Sequence, residues 1–243
     1  MAQLTVFADA DALAEGAAVL IADLARAAVA ARGCFTLALA GGSTPRRLHT
    51  RLASPAIADR IPWDKVQVFF GDERCVPPDD ARSNYRMARE TLLDRVPLPA
   101  ANVHRIAGED DPAAAARAYE QDLRRTIGGA GLPAFDLICL GLGEDGHTAS
   151  LFPGTEVLHE TTRWVAAPYV PGLEAWRVTM TPVLLNAARE VVFLVAGSAK
   201  ATVLKRVLDG PHRPDLLPAQ LVRPARGRVR WLVDAAAAGR SGA

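Results

Sequence analysis

The segment FTLALAGGSTPRRLH, residues 35–49, is the clearest indication of the fold class. Its first six residues form a short apolar run, which predicts a buried strand. Two glycines end the run, and Pro45 follows at a position suited to the first turn of a helix. Ser43 or Thr44 would supply the cap of that helix. A buried strand that passes through glycine into a helix is the repeating unit of a parallel α/β sheet.

The same alternation continues through the chain. Further strands are predicted at residues 4–7, 66–70, 135–140, 176–180, 191–196 and 229–233. Helices are predicted at 9–32, near 83–94, after Asp111, after Thr181 and up to Leu208. Several strands are continuously apolar, which indicates a mostly parallel sheet with helices on both faces. We therefore expect one α/β domain over residues 1–243, with a frayed tail at about 235–243.

Composition excludes several classes of protein. The 243 residues include 28 Lys and Arg against 27 Asp and Glu, and no basic block predicts binding to nucleic acid or to a membrane surface. The first residues lack the pattern of a secretion signal, so we expect a cytoplasmic protein. The three cysteines are widely spaced and predict neither disulfides nor a metal site. A monomer or a small homo-oligomer is expected.

Four predicted strands end in glycine followed by polar residues. These ends read GGST (41–44), GDER (71–74), GLGEDGH (141–147) and GSAK (197–200). Turn geometry alone explains any single loop of this kind. Ligands of open α/β sheets, however, bind outside the carboxyl ends of the strands, so four such ends favour a shared site.

Two of these loops are suited to an anion. The GGST loop combines close backbone approach with the start of a helix, although a capped helix start explains it equally well. It matches neither common nucleotide-binding motif. If Ser198 caps the last helix, Lys200 lies in its first turn, where a cation is disfavoured unless an anion is bound. A solvated lysine is an equally good interpretation.

His147 is the most suggestive titratable residue, since a general base is useful in a glycine-rich loop after a buried strand. A merely exposed histidine is the alternative. Asp72 could orient an imidazole or bind substrate hydroxyls, and Arg74 could stabilise an oxyanion; a surface ion pair is the alternative for both. No histidine pair has metal-ligand spacing, and no nucleophile elbow is present. Water activated by a base is therefore preferred to a covalent intermediate.

Five segments together resemble the 6-phosphogluconolactonases in order and spacing. They are LALAGGSTPRRLH, FFGDERCVPPDDARSNYRMA, FDLICLGLGEDGHTASLFPGT, RVTMTPVLLNAAREVVFLVAGSAK and LPAQLV. The resemblance implies the fold shared by glucosamine-6-phosphate deaminases and ribose-5-phosphate isomerases. It also implies hydrolysis of 6-phospho-D-glucono-1,5-lactone in the oxidative branch of the pentose phosphate pathway, with no cofactor.

The resemblance also implies roles for individual residues. His147 would be the general base, with Asp72 and Arg74 in the active site. The substrate and phosphate contacts would be Gly41, Gly42, Ser43, Arg177 and Lys200. No role is assigned to Gln220, which stands where the family often has serine.

Two other functions remain open. One is an amino-sugar phosphate deaminase or isomerase, but such enzymes typically follow the histidine with Phe-Asn-Glu. Here Thr-Ala-Ser follows His147, and the next acid is Glu156. The other is a non-catalytic sugar-phosphate sensor, against which no appended DNA-binding module is visible.

Overall fold

The computed structural model describes residues 3–128 and 133–240. Its strands are β1 (Gln3–Phe7), β2 (Phe35–Leu39), β3 (Val66–Phe70), β4 (Asp72–Arg74), β5 (Leu137–Leu140), β6 (Val165–Ala166), β7 (Tyr169–Val170), β8 (Ala175–Met180), β9 (Glu190–Val195) and β10 (Arg228–Asp234). Its α-helices are α1 (Ala10–Arg32), α2 (Ser43–Leu52), α3 (Pro55–Ala58), α4 (Asn84–Thr91), α5 (Pro112–Ile127), α6 (Pro182–Leu185) and α7 (Ala201–Asp209). None of the described helices has the length and apolar character needed to cross a membrane.

Six strands form one parallel sheet in the order β1-β10-β9-β5-β2-β3. All residues of β2, β5 and β9 are buried, as expected for strands covered on both faces. The predicted class, a mostly parallel α/β sheet with helices on both faces, is confirmed. Because β5 lies between β2 and β9, the loops after these three strands emerge side by side at one edge.

Helix α1 shows how local sequence sets the element bounds. The Asp9 side chain accepts hydrogen bonds from the backbone N–H groups of Asp11 and Ala12, at 3.0 and 2.8 Å, and so begins the helix. Gly33 ends it at φ +77°, a conformation that favours glycine. The buried stripe of the helix consists largely of alanines, which allow close approach to the sheet.

A second, smaller sheet was not predicted. Strands β4 and β6 each pair antiparallel with β8. Strand β7 also pairs antiparallel with β8, at Ala175 and Trp176. We expected Asp72–Arg74 to lie in a loop, but these residues pair with Arg177–Thr179. A strand of three charged residues shows no apolar periodicity, and its partner is about a hundred residues away in the chain.

The predicted caps of α2 and α7 were wrong. Helix α2 begins at Ser43 itself, and Gly42 occupies the cap position at φ +106°. Ser198 starts a 3₁₀ turn that ends at Lys200, and α7 follows from Ala201. Neither helix start receives a hydrogen bond from a capping side chain. The first N–H groups of α2 therefore donate no hydrogen bond to a Ser or Thr side chain, which is the cap that was predicted.

Part of the predicted frayed tail is folded. Residues 235–239 form turns in which Ala237 is 1% exposed. The Asp234 carboxylate accepts hydrogen bonds from the N–H groups of Ala237, at 2.7 Å, and of Gly197, at 3.0 Å. This carboxylate ties the end of the chain to the GSAK loop. Residues 241–243 lie outside the described part of the chain.

Gln220 has a structural explanation. Its side chain is 3% exposed, and its Oε1 accepts a hydrogen bond from the N–H of Arg213 at 2.7 Å. Its Nε2 lies 3.2 Å from the carbonyl oxygens of both Val207 and Pro211. The longer amide thus joins the end of α7 to the following loop.

Acid is expected to destabilise the fold through His49. This α2 residue is 1% exposed, and burial, with a smaller contribution from the charge of Arg46, lowers its pKa from 6.5 to about 4. As the pH falls through 6.5 the unfolded chain therefore binds a proton before the folded chain does. Stability is complete above pH 6.5, and about 3 kcal/mol is lost by the time the pH reaches 4.

Urea unfolding of the wild type and of His49→Gln between pH 7.5 and 4.5 checks this effect. The variant should be less stable at neutral pH, because its amide is buried in a site shaped for the ring. Its stability should fall less steeply with acid than that of the wild type. Parallel curves for the two proteins would exclude His49 as the cause.

Candidate active site

A cavity of about 560 Å³ opens where the loops after β2, β5 and β9 meet the small sheet. All eight predicted site residues line it: Gly41, Gly42, Ser43, Asp72, Arg74, His147, Arg177 and Lys200. The four glycine-bearing strand ends therefore converge, as their position in a parallel sheet requires. Their chemical roles remain predictions at this point.

The His147 ring is held by Asp145. Its Nδ1 lies 2.6 Å from Asp145 Oδ1, which also accepts the backbone N–H of His147 at 3.1 Å. Burial alone would raise the pKa of Asp145, but the hydrogen bonds from His147 and its charge outweigh burial and keep the pKa below its usual value. With Nδ1–H donating to the carboxylate, Nε2 is left as the proton acceptor of the neutral ring.

Orienting the imidazole was one of two roles predicted for Asp72, and in the structure Asp145 contacts the ring instead. Asp72 is 9% exposed; its Oδ2 accepts a 2.6 Å hydrogen bond from Ser150 Oγ, and its Oδ1 accepts one of 3.2 Å from Asn84. It still lines the cavity, where substrate hydroxyls would meet it. The contact with Asp145 could have been expected from the sequence. In turns, an Asp side chain commonly accepts a hydrogen bond from the backbone N–H two residues later, which here is that of His147.

Packing against neighbouring residues also helps to hold the His147 ring in place. The imidazole stacks on Phe152 with the ring centres 4.1 Å apart and the planes 25° from parallel. A Cβ at position 143 would lie 2.0 Å from His147 Nδ1, so Gly143 leaves room for the ring. The side chain remains 29% exposed, which leaves it open to a ligand.

Arg74 and Arg177 form a pair of like charges. They face each other across the β4–β8 ladder, a placement that is unfavourable without an anion. Arg74 donates to the carbonyl of Arg82 at 2.8 Å and to the Asn84 side chain, and Arg177 donates to the carbonyl of Trp176. Within residues 3–128 and 133–240 neither guanidinium has a carboxylate within 4.0 Å.

The electrostatics of the pair agree with this geometry. Burial, followed by the charge of Arg74, lowers the pKa of Arg177. An anion between the two guanidiniums would remove this repulsion and form charge-assisted hydrogen bonds to both. This pairing was not predicted, because Arg177 lies in a strand whose partner, Asp72–Arg74, was expected to be a loop.

The GGST turn and Lys200 border the same cavity. A Cβ at Gly41 would overlap the Asn84 side chain, so glycine at this position leaves room for that amide. Lys200 Nζ lies 3.6 Å from Glu144 Oε1, and the Glu144 side chain is 68% exposed. Such an exposed partner holds the lysine weakly, so an incoming anion can replace it.

No three His, Cys, Asp or Glu side chains in the described ranges are grouped as metal ligands would be.

Comparison with known proteins agrees with this geometry. Residues 8–231 match the family model described as glucosamine-6-phosphate isomerases/6-phosphogluconolactonase. The chain belongs to this family. A 6-phosphogluconolactonase from a Nostoc species is 44% identical over 214 residues, which is 86% of each chain. The structure of 6-phosphogluconolactonase from Trypanosoma cruzi superimposes with a TM-score of 0.87 at 29% identity, over 100% of this chain and 98% of that one.

The same fold also occurs in a protein named for a different reaction. A monomeric glucosamine-6-phosphate deaminase superimposes with a TM-score of 0.81, covering 98% of this chain and 100% of that one. Its identity of 22% shows the shared fold alone. The predicted likeness to the deaminase fold is confirmed.

Proposed function

We propose that this protein is a 6-phosphogluconolactonase, which hydrolyses 6-phospho-D-glucono-1,5-lactone to 6-phosphogluconate. The observation that carries the proposal is the single cavity, with a carboxylate-supported imidazole in one part and cations without carboxylate partners in another. The relatives of that name support the same substrate. A cytoplasmic location and a place in the oxidative branch of the pentose phosphate pathway go with this proposal.

Phosphate binding is assigned to the cationic part of the cavity. The first N–H groups of α2, at Ser43 and Thr44, are suited to phosphate oxygens because no side chain caps them. Lys200 and Arg177 add positive charge from two other elements. The phosphate replaces Glu144 at Lys200, and its position fixes the lactone carbonyl near His147.

His147 acts as the general base. Nε2 takes a proton from water as the water oxygen bonds to the carbonyl carbon of the lactone. The resulting imidazolium is stabilised by Asp145. The tetrahedral intermediate then breaks its bond to the ring oxygen, and the imidazolium returns the proton to that oxygen. The carboxylic acid formed ionises at neutral pH.

The developing oxyanion is stabilised by Arg74 or by backbone N–H groups of the glycine-rich loops. A good donor at this position contributes about 3–4 kcal/mol to the transition state. Arg74 is suited to the role because its guanidinium is fixed by Asn84 and by the carbonyl of Arg82. Asp72, held by Ser150, is placed to accept a substrate hydroxyl.

A coupled assay tests the function. Lactone is generated from glucose 6-phosphate, and formation of 6-phosphogluconate is compared with the spontaneous rate. We expect a rate proportional to protein concentration, and no ammonia release from glucosamine 6-phosphate. A rate equal to the background would reject the proposal, and ammonia release would favour the deaminase chemistry.

Lys200→Ala is expected to raise KM for the phosphorylated lactone by about 10- to 100-fold, the value of one charge-assisted contact. Its kcat should change little, because the lysine binds the phosphate and not the reacting carbonyl. Hydrolysis of unphosphorylated gluconolactone should be unaffected. Lys205→Ala, on the exposed side of α7, is the matched control. Equal losses with both lactones would contradict a phosphate role.

A further inference from the structure

A second cavity of about 800 Å³ adjoins the active site. Of the residues that line it, the proposed reaction uses only Ser43, Arg74 and Arg177, which also line the first cavity. Arg74 and Arg177 line both cavities, and Arg46 and Trp176 line only the second. We call this second cavity the arginine–tryptophan cleft and define it by these four residues. It lies between the start of α2, the chain leading into α4 and the hairpin of β7 and β8.

The cleft carries an excess of positive charge. Within the described residues Arg46, like Arg74 and Arg177, has no carboxylate within 4.0 Å. A fourth arginine, Arg82, is neutralised by two hydrogen bonds to Asp80, at 3.0 and 2.9 Å. The lining contains one acid, Glu174. Three guanidiniums without carboxylate partners around one cavity are suited to a polyanion such as a phosphate chain.

The cleft also has an exposed aromatic wall. Trp176 is 47% exposed, whereas the chain's three other tryptophans are 4% exposed. The indole makes an edge contact with Tyr169, with ring centres 5.4 Å apart. Leu173, 50% exposed, lies on the same wall. An exposed indole beside these guanidiniums is suited to a ligand that carries a planar ring as well as phosphate.

We propose that the arginine–tryptophan cleft binds a nucleoside phosphate. Arg46, Arg74 and Arg177 hold its phosphate groups, and the base stacks on Trp176. Arginine binds phosphate oxygens in pairs, and stacking on an aromatic side chain accepts any base. The two features together select a ligand that carries both a phosphate chain and a planar ring, and neither part alone fills the site.

Calorimetric titration of the full chain tests this assignment with three probes: adenosine diphosphate, inorganic pyrophosphate and adenosine. We expect adenosine diphosphate to bind at least about 10-fold more tightly than either part. It should also quench the fluorescence of the exposed indole. The titration needs no turnover, so its failure is distinct from failure of the lactonase assay.

Variants locate the ligand. Arg46→Ala and Trp176→Ala should each weaken adenosine diphosphate binding by about 10-fold, and Trp176→Phe should retain most of it. Arg47→Ala is the matched control, because Arg47 is paired with Asp11 and lies outside the cleft. None of these side chains takes part in the proposed reaction, so lactone turnover should stay at the wild-type level.

Three results would overturn the proposal. They are no detectable binding of adenosine diphosphate, binding no tighter than that of pyrophosphate, and affinities of Arg46→Ala and Trp176→Ala equal to that of Arg47→Ala. If Trp176→Ala has a lowered melting temperature, the Trp176→Phe variant decides the stacking role, since it keeps the packing against Tyr169. Loss of binding in that variant would exclude simple stacking.

Discussion

His147→Ala is expected to lower kcat/KM for the phosphorylated lactone by about 10²- to 10⁴-fold, the usual contribution of a general base. The effect should fall on kcat, because the imidazole acts on water and not on the phosphate. The contacts that hold the His147 ring support this expectation. Asp145 engages Nδ1, Phe152 stacks on the ring, and Nε2 remains free of both contacts.

The control for this experiment is His159→Ala. His159 is 73% exposed in its side chain, pairs with Asp215 at 3.5 Å and does not line the cavity. Its removal should leave turnover unchanged. Both variants are measured against the spontaneous hydrolysis of the lactone, which sets the lower limit of detection. If His147→Ala kept near-normal turnover, another group would have to be the base.

Asp145→Asn is expected to lower kcat by about 10²-fold or more, with little change in KM. An amide can accept a hydrogen bond from Nδ1, but it cannot balance the positive charge that forms on the ring. It can also turn its NH₂ group toward the ring and favour the wrong tautomer. Steady-state kinetics that separate kcat from KM measure the effect.

Glu144→Gln is the matched control for the Asp145 variant. It also removes a carboxylate from the same loop, but this carboxylate contacts Lys200 and not the imidazole. Its kcat should stay within about two-fold of the wild type, since exposed ion pairs contribute little. A similar loss of kcat in both variants would indicate a general effect of loop charge. Wild-type kcat in Asp145→Asn would remove Asp145 from the mechanism.

The sequence was informative wherever burial determined the structure. The strands β2, β5 and β9 are fully buried, so their apolar runs were visible without any partner. Parallel strands then fix the side of the sheet on which their loops emerge. This is why the convergence of the GGST, GEDGH and GSAK loops could be predicted from the chain alone.

The remaining features depend on pairing between distant segments. The position of Arg177 opposite Arg74 follows from the β4–β8 ladder, which joins segments with little apolar periodicity. The cap of α2 was misplaced because Gly42 takes a left-handed conformation that sequence patterns do not specify. Contact between Asp72 and the imidazole, one of its two predicted roles, is not formed because the Asp72 carboxylate accepts a hydrogen bond from Ser150, which is 78 residues away in the chain.

The proposed binding mode can be seen in a crystal structure with 6-phosphogluconate bound. We expect the phosphate against the N–H groups of Ser43 and Thr44 with Lys200 and Arg177 around it, and the carboxylate of the product beside Nε2 of His147. A product bound in the opposite direction, or with its carboxylate remote from His147, would contradict the account.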